Sequence, residues 1–136
     1  MSFTFNKINS FVQNLATGNV NLGGGLAIAL TNTAHSAGFS KLSDLTEISY
    51  TNCSARVPTL TSCTQVAGLL TLFLQQLLLT VSGSVGPFLY IYLYETVTAN
   101  KNLIAYYDYG ASITLLYSGD QFNIAFDQVN GVLTIQ

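Results

Sequence analysis

No charged residue occurs between Arg56 and Glu95, and most of this run is apolar. Such a run is either a membrane span or a set of buried strands. A spanning helix needs about 20 predominantly apolar residues, with Lys or Arg beside it to set its orientation. Here a Gln75-Gln76 pair and the turn-forming residues 82–87 interrupt the run, and no basic residue flanks residues 66–94 closely. We therefore expect two segments of strand length and no membrane span.

The second segment, residues 88–94, alternates as a β-strand with two different faces does. Leu89, Ile91 and Leu93 are expected to face the core. Tyrosine is favoured where an apolar surface must stay wettable or meet a partner. We therefore predict a subunit or partner interface on the other face, an aromatic row formed by Phe88, Tyr90, Tyr92 and Tyr94.

We expect the first segment, residues 69–81, to form one strand that is apolar on both faces. A strand buried on both sides belongs to a covered sheet, and in a small domain a neighbouring subunit can supply the cover. We also expect the N-terminal residues 1–18 to reach a neighbour. The predicted interface therefore includes five further residues from these two segments: Phe73, Leu77, Leu79, Phe5 and Phe11.

The remaining pattern predicts a mainly β fold. Residues 3–17 have the apolar spacing of a helix, and Gly18 is its expected end. Residues 31–44 are expected to form a surface loop. Short strands are expected over residues 26–30, 47–51, 55–63, 88–96, 102–109, 122–127 and 132–135. Asn130-Gly131 is a strong signal for a tight hairpin joining the last two of these strands.

Many short strands separated by turn residues are typical of a sandwich. We predict a mainly β, antiparallel β-sandwich or jelly-roll-like fold with one short N-terminal helix. Residues 1–25 would supply the helix and a glycine connection, and residues 26–136 a single β-sandwich domain.

Charged residues make up only 7% of the chain, whereas a typical soluble domain has about 25%. A net charge of −2 gives copies little mutual repulsion, so self-association is expected. The basic residues are Lys7, Lys41, Arg56 and Lys101, and they are too scattered to form a phosphate-binding patch. We expect no nucleic-acid partner.

No arrangement of residues indicates catalysis, a metal site or a cofactor. His35 is the only histidine, and no nucleophile-elbow motif accompanies it, so we expect a solvated histidine in a loop. Asp108 and Asp127 could act as a glycosidase pair only if they met at a cleft. Cys53 and Cys63 are expected to be reduced and mostly buried, although spacing alone leaves a disulfide open.

Four stretches of the chain resemble small virion proteins of tailed bacteriophages. They are LAIALTNTA at 26–34, LSDLTEISYTN at 42–52, GPFLYIYLYE at 86–95 and YYDYGASITLLYSGDQFNIAFDQVNGVLTI at 106–135. The resemblance implies a β-rich capsid cement or decoration protein, made in the host cytoplasm and located on the capsid exterior. It implies a homotrimer that contacts the major capsid protein, without catalytic residues or a cofactor. The alternative is a tail or baseplate module that recognises a host-surface glycan.

Overall fold

The computed structural model describes residues 4–136 of the chain. One α-helix, α1 (Phe11–Ala16), and a short 3-10 helix (Leu42–Asp44) accompany the strands. The strands are β1 (Asn6–Lys7), β2 (Leu26–Thr31), β3 (Leu60–Val66), β4 (Leu69–Leu74), β5 (Leu77–Thr80), β6 (Val85–Glu95), β7 (Leu103–Leu115), β8 (Gln121–Ile124) and β9 (Leu133–Ile135).

The strands form an antiparallel, sandwich-like arrangement. One layer is a four-stranded sheet in the order β1-β7-β6-β2. The opposing strands form a three-stranded sheet, β3-β4-β9, and a two-stranded sheet, β5-β8. Apolar residues from both layers share one core, which includes Ile28, Ile91, Leu72, Leu79 and Ile124. The prediction of a mainly β, antiparallel sandwich with one short helix is confirmed.

The N-terminal segment is attached to this core. The helix is shorter than predicted, because residues 6–7 pair with β7 as a strand and the helix starts only at Phe11. It ends near Gly18, whose positive φ of 78° suits a glycine after a helix. Ile8, Phe11 and Val20 are buried in the same core as the sheets.

The predicted strand 69–81 is in fact two strands that belong to different sheets. β4 pairs with β3 and β9, whereas β5 pairs with β8. The exposed Gln75 and Gln76 lie between them. This break changes which alternate residues face inward, because Leu72 and Leu74 are buried before it and Leu79 and Val81 after it. A continuous strand could not bury both of these sets on one face.

The predicted hairpin at Asn130-Gly131 is wrong. β9 pairs with β4, with Leu72 opposite Leu133, and β8 pairs with β5 instead. Gly131 has a positive φ of 84°, and a Cβ there would lie 2.8 Å from the carbonyl oxygen of Leu72. The glycine therefore permits the chain to approach β4 closely, which the local turn signal does not reveal.

The predicted strand 47–51 is also absent, since only an isolated bridge joins Glu47 to Thr31. This segment runs along the outer edge of β2. The Ile48 N–H donates to the Leu30 carbonyl, and the Ile28 N–H donates to the Arg56 carbonyl. The Tyr50 hydroxyl accepts the Leu30 N–H at 2.8 Å, while the Arg56 guanidinium lies over the Tyr50 ring. These contacts cover the β2 edge with irregular chain.

No helix within residues 4–136 is both long enough and apolar enough to cross a membrane.

Candidate interaction surface

The nine residues predicted as an interface do not form one exposed surface. Phe88, Tyr92, Tyr94, Leu79 and Phe11 are buried within the chain itself. Tyr90, Phe73, Leu77 and Phe5 are half-buried. Whether any of them contacts a neighbour stays a prediction, but the buried five present no surface in this conformation.

The aromatic row divides between the two faces of β6, because its pairing with β7 shifts between Phe88 and Tyr90. Phe88 packs edge-on against Phe122 of the opposing layer, with ring centroids 5.4 Å apart. Tyr92 instead stacks on Tyr106, its cross-strand partner, at 5.6 Å. Alternation alone does not reveal such irregularities in register.

Residues 32–42 cover the tyrosine face of the four-stranded sheet. The Asn32 side chain donates to the carbonyl of Pro87, and the His35 ring stacks on Tyr106 at 4.2 Å. Farther along, the Ser40 carbonyl accepts the Leu103 N–H. The chain therefore covers this face with its own loop, and the Tyr92 hydroxyl is buried there with no hydrogen-bond partner among the described residues.

On the outer face of the three-stranded sheet β3-β4-β9, every residue is exposed or half-buried. Cross-strand partners lie on the same face, so the buried pair Leu72 and Leu133 marks the inner side. The residues one position away point outward. We call these outward residues the neutral sheet face: Ser62, Thr64, Val66, Leu69, Thr71, Phe73 and Thr134.

The neutral sheet face combines hydroxyl groups with exposed apolar side chains and has no charge. Val66 is 76% exposed and Leu69 is 39% exposed, and the two face each other across the β3-β4 hairpin. Thr64, Thr71 and Thr134 form a row across the three strands. Exposed apolar side chains on a surface without charge are typical of a protein–protein contact. Of the sequence-predicted residues, only Phe73 lies on this face.

A two-residue turn, Ala67-Gly68, connects β3 to β4. Both residues have positive φ, 52° and 85°, which is the geometry of a type I′ hairpin. Alanine rarely adopts this conformation, whereas glycine and asparagine adopt it readily. The turn projects the exposed pair Val66 and Leu69 at the end of the sheet.

All six carboxylates of the chain accept hydrogen bonds that hold local structure. Asp44, Asp108, Asp120 and Asp127 each accept at least one backbone N–H from a residue within four positions. Glu47 accepts from the Tyr50 hydroxyl. Glu95 is buried and accepts the backbone N–H groups of Val97, Thr98 and Asn102, together with the Thr98 hydroxyl.

Several of these carboxylates have shifted pKa values. Burial acts to raise the pKa of Glu95, but its hydrogen bonds from Thr98, Asn102 and Val97 outweigh burial and lower it. Backbone N–H groups lower the pKa of Asp44 and Asp127. A general acid in catalysis needs the opposite shift, toward neutral pH.

A cavity of about 310 Å³ opens between the layers beside Phe5, Ile91, Tyr107 and Phe126. Asp127 is at its rim, where its carboxylate accepts the N–H groups of Val129 and Asn130. Its walls are mainly apolar and bring no second carboxylate to Asp127. The cavity therefore lacks the paired carboxylates of a glycosidase.

The cysteines are not joined to each other, and both are half-buried rather than mostly buried. Burial raises the pKa of each thiol. Within residues 4–136, no three side chains of the His, Cys, Asp or Glu type group together as metal ligands would.

No family model matches the chain. No curated protein and no solved structure matches it either.

Proposed function

We propose that the chain is a non-enzymatic structural protein of a bacteriophage virion, which binds to the outside of the head and bridges major capsid subunits. The observation that carries the proposal is the neutral sheet face, on which exposed and half-buried apolar and hydroxyl side chains lie together without charge. Such a surface is suited to permanent contact with another protein. The resemblance of four stretches to virion proteins is the reason for proposing the capsid as the partner in this contact.

A cement protein stabilises a capsid by binding only its assembled state. At a hundredfold excess over the dissociation constant, such binding contributes about 2.7 kcal/mol per site. If the chain forms the homotrimer that the resemblance implies, three weak contacts add avidity. Neither effect requires a catalytic group. Each of the six carboxylates of this chain accepts a hydrogen bond from the chain itself.

The alternative, glycan recognition by a tail or baseplate module, has less support. Exposed aromatic rings in a row could stack on sugars. Tyr92 is instead buried, and the stacked His35 ring covers one face of the Tyr106 ring. The most exposed tyrosine, Tyr117 at 71%, lies in a turn held by Asp120.

The proposal is tested by adding purified protein to heads assembled without it and measuring what sediments with them. We expect saturable binding that a Thr71→Lys, Thr134→Lys double variant loses, because it buries two unpaired charges in the contact. The matched control is Thr80→Lys, Gln121→Lys, which charges two exposed, paired residues on β5 and β8. Absence of binding by the unaltered chain, or equal binding by both variants, would contradict the proposal.

A further inference from the structure

Within residues 4–136, β3 is an edge strand that no other segment covers. It is the terminal strand of its sheet, and among the described residues only β4 pairs with it. The edge of β2, in contrast, is covered by residues 47–56 through main-chain hydrogen bonds. Proteins usually protect a free edge with a charged residue, a proline or a covering segment. β3 contains no charge or proline, and its irregular pairing is confined to residues 60–62.

The sequence of β3, Leu-Thr-Ser-Cys-Thr-Gln-Val, is chemically palindromic about Cys63. Ser62 and Thr64 flank the cysteine with hydroxyl groups, Thr61 and Gln65 follow with polar side chains, and the ends are Leu60 and Val66. Both end residues are exposed, at 40% and 76%. An antiparallel pair of such strands related by a two-fold axis places Cys63 beside Cys63 and Ser62 beside Thr64, so like side chains meet at the centre of the contact.

The turn at Ala67-Gly68 determines which backbone groups of β3 are free. A two-residue hairpin makes Val66 and Leu69 a hydrogen-bonded pair, and pairs alternate along an antiparallel ladder. Ser62 and Thr64 therefore direct their N–H and C=O groups toward β4. Cys63 and Gln65 direct theirs away from the sheet, in the geometry that another strand requires.

We propose that β3 pairs antiparallel with β3 of a second copy, about a two-fold axis through Cys63. The pairing joins two three-stranded sheets into one of six strands. Ser62 then faces Thr64 of the other copy, on either side of the central pair of Cys63 residues. The absence of charge from Val57 to Tyr94 means that the two copies bring no like charges together at this edge. A two-fold contact lies outside any cyclic trimer, so it depends neither on the homotrimer nor on the virion role, and it leaves the neutral sheet face free.

The register is tested by disulfide formation between two single-cysteine chains, in both of which Cys53 and Cys63 are serine. One chain carries Ser62→Cys and the other carries Thr64→Cys. In the proposed pair these positions are directly opposite and not hydrogen-bonded to each other, so their Cβ atoms are within about 5 Å. Copies of one variant alone place their cysteines on a diagonal of about 7–8 Å, which is too long for a disulfide.

With copper-phenanthroline as oxidant, we expect the mixture to give a covalent dimer on the order of a hundredfold faster than either variant alone. The control is a mixture of Thr80→Cys and Gln121→Cys chains, which carry exposed thiols away from β3. A mixture that reacts no faster than this control would overturn the proposal. Since the experiment uses purified protein without capsids, its failure would leave the virion role untouched.

A second measurement does not depend on engineered thiols. Ser62→Lys, Thr64→Lys places four lysines along the two-fold contact, so we expect sedimentation to show loss of the β3-mediated association while circular dichroism stays unchanged. The control, Thr80→Lys, Gln121→Lys, should associate as the unaltered chain does. A folded Ser62→Lys, Thr64→Lys chain that associates equally well would contradict the proposal.

Discussion

The His35 ring lies flat against the Tyr106 ring, with centroids 4.2 Å apart and planes 15° apart. Phe39 contacts the same imidazole edge-on. The Nδ1 atom of His35 is buried without a hydrogen-bond partner among the described residues. The sequence predicted a solvated loop histidine. The structure instead uses it to attach residues 32–42 to the four-stranded sheet.

This contact predicts a pH dependence of stability. Burial lowers the pKa of His35 below its ordinary value of 6.5, so the unfolded chain binds the proton more readily than the folded chain. The free energy of unfolding should therefore decrease as the pH falls from about 7 to 5. Urea denaturation at a series of pH values measures it. His35→Phe keeps an aromatic ring and should remove this dependence; an unchanged slope in the variant would contradict the assignment.

We expect Glu95 to be the carboxylate whose substitution lowers the free energy of unfolding most. Its two oxygens accept three backbone N–H groups and one hydroxyl in a fully buried position. Glu95→Gln turns an NH2 group toward these donors, so we expect a loss of about 2–4 kcal/mol in the free energy of unfolding. The control, Asp108→Asn, alters an exposed carboxylate that accepts the Gly110 N–H, and it should cost less than about 1 kcal/mol. Equal costs would be evidence against this role.

Acid should destabilise the chain through the same group. Hydrogen bonds hold the pKa of Glu95 below its ordinary value of 4.5 despite burial. Its contribution is therefore present above that value and is lost as the pH falls below 4.5 through the lower folded-state pKa. Thermal unfolding between pH 5 and pH 2 should show a shallower decline for Glu95→Gln than for the unaltered chain. Parallel declines would mean that Glu95 does not dominate the acid response.

The hairpin turn predicts a stabilising substitution. Ala67 has a φ of 52°, which costs an alanine free energy that an asparagine largely avoids. Ala67→Asn should therefore raise the free energy of unfolding by roughly 0.5–1 kcal/mol. Gly68→Ala is the informative counterpart, because its Cβ would meet nothing within 4 Å and only the φ of 85° opposes it. We expect it to lower stability by about 1 kcal/mol. A loss of stability in Ala67→Asn together with a gain in Gly68→Ala would contradict the type I′ assignment.

The sequence predicted the fold class well because that depends on local signals. Turn residues at short intervals and alternating apolar residues are enough to indicate an antiparallel β protein. Gly18 likewise marked the region where the helix ends.

Local sequence signals could not predict which strands pair when they lie far apart along the chain. Asn130-Gly131 has the composition of a hairpin, but β9 pairs with β4 because the complete fold offers Leu133 a buried place opposite Leu72. The Gln75-Gln76 break was visible in the sequence as an interruption of an apolar run. Its consequence, a transfer of the chain from one sheet to another, depends on β8 and β9, which lie far along the chain.

The candidate site was only partly predictable for the same reason. The absence of charge between Arg56 and Glu95 directed the prediction to residues 69–81 and 88–94, and of the residues named there only Phe73 is on the neutral sheet face. The tyrosine row received more weight than its position supports, because nothing local indicates that residues 32–42 cross the sheet and cover it. The palindrome of β3 was visible in the sequence, but it acquires meaning only once β3 is known to be an edge.

The virion role is tested most directly by gold labelling of intact particles from the source with antibodies raised against this chain. We expect gold distributed evenly over the head, on its outer surface. Label confined to the tail tip, or particles without label, would contradict a cement role.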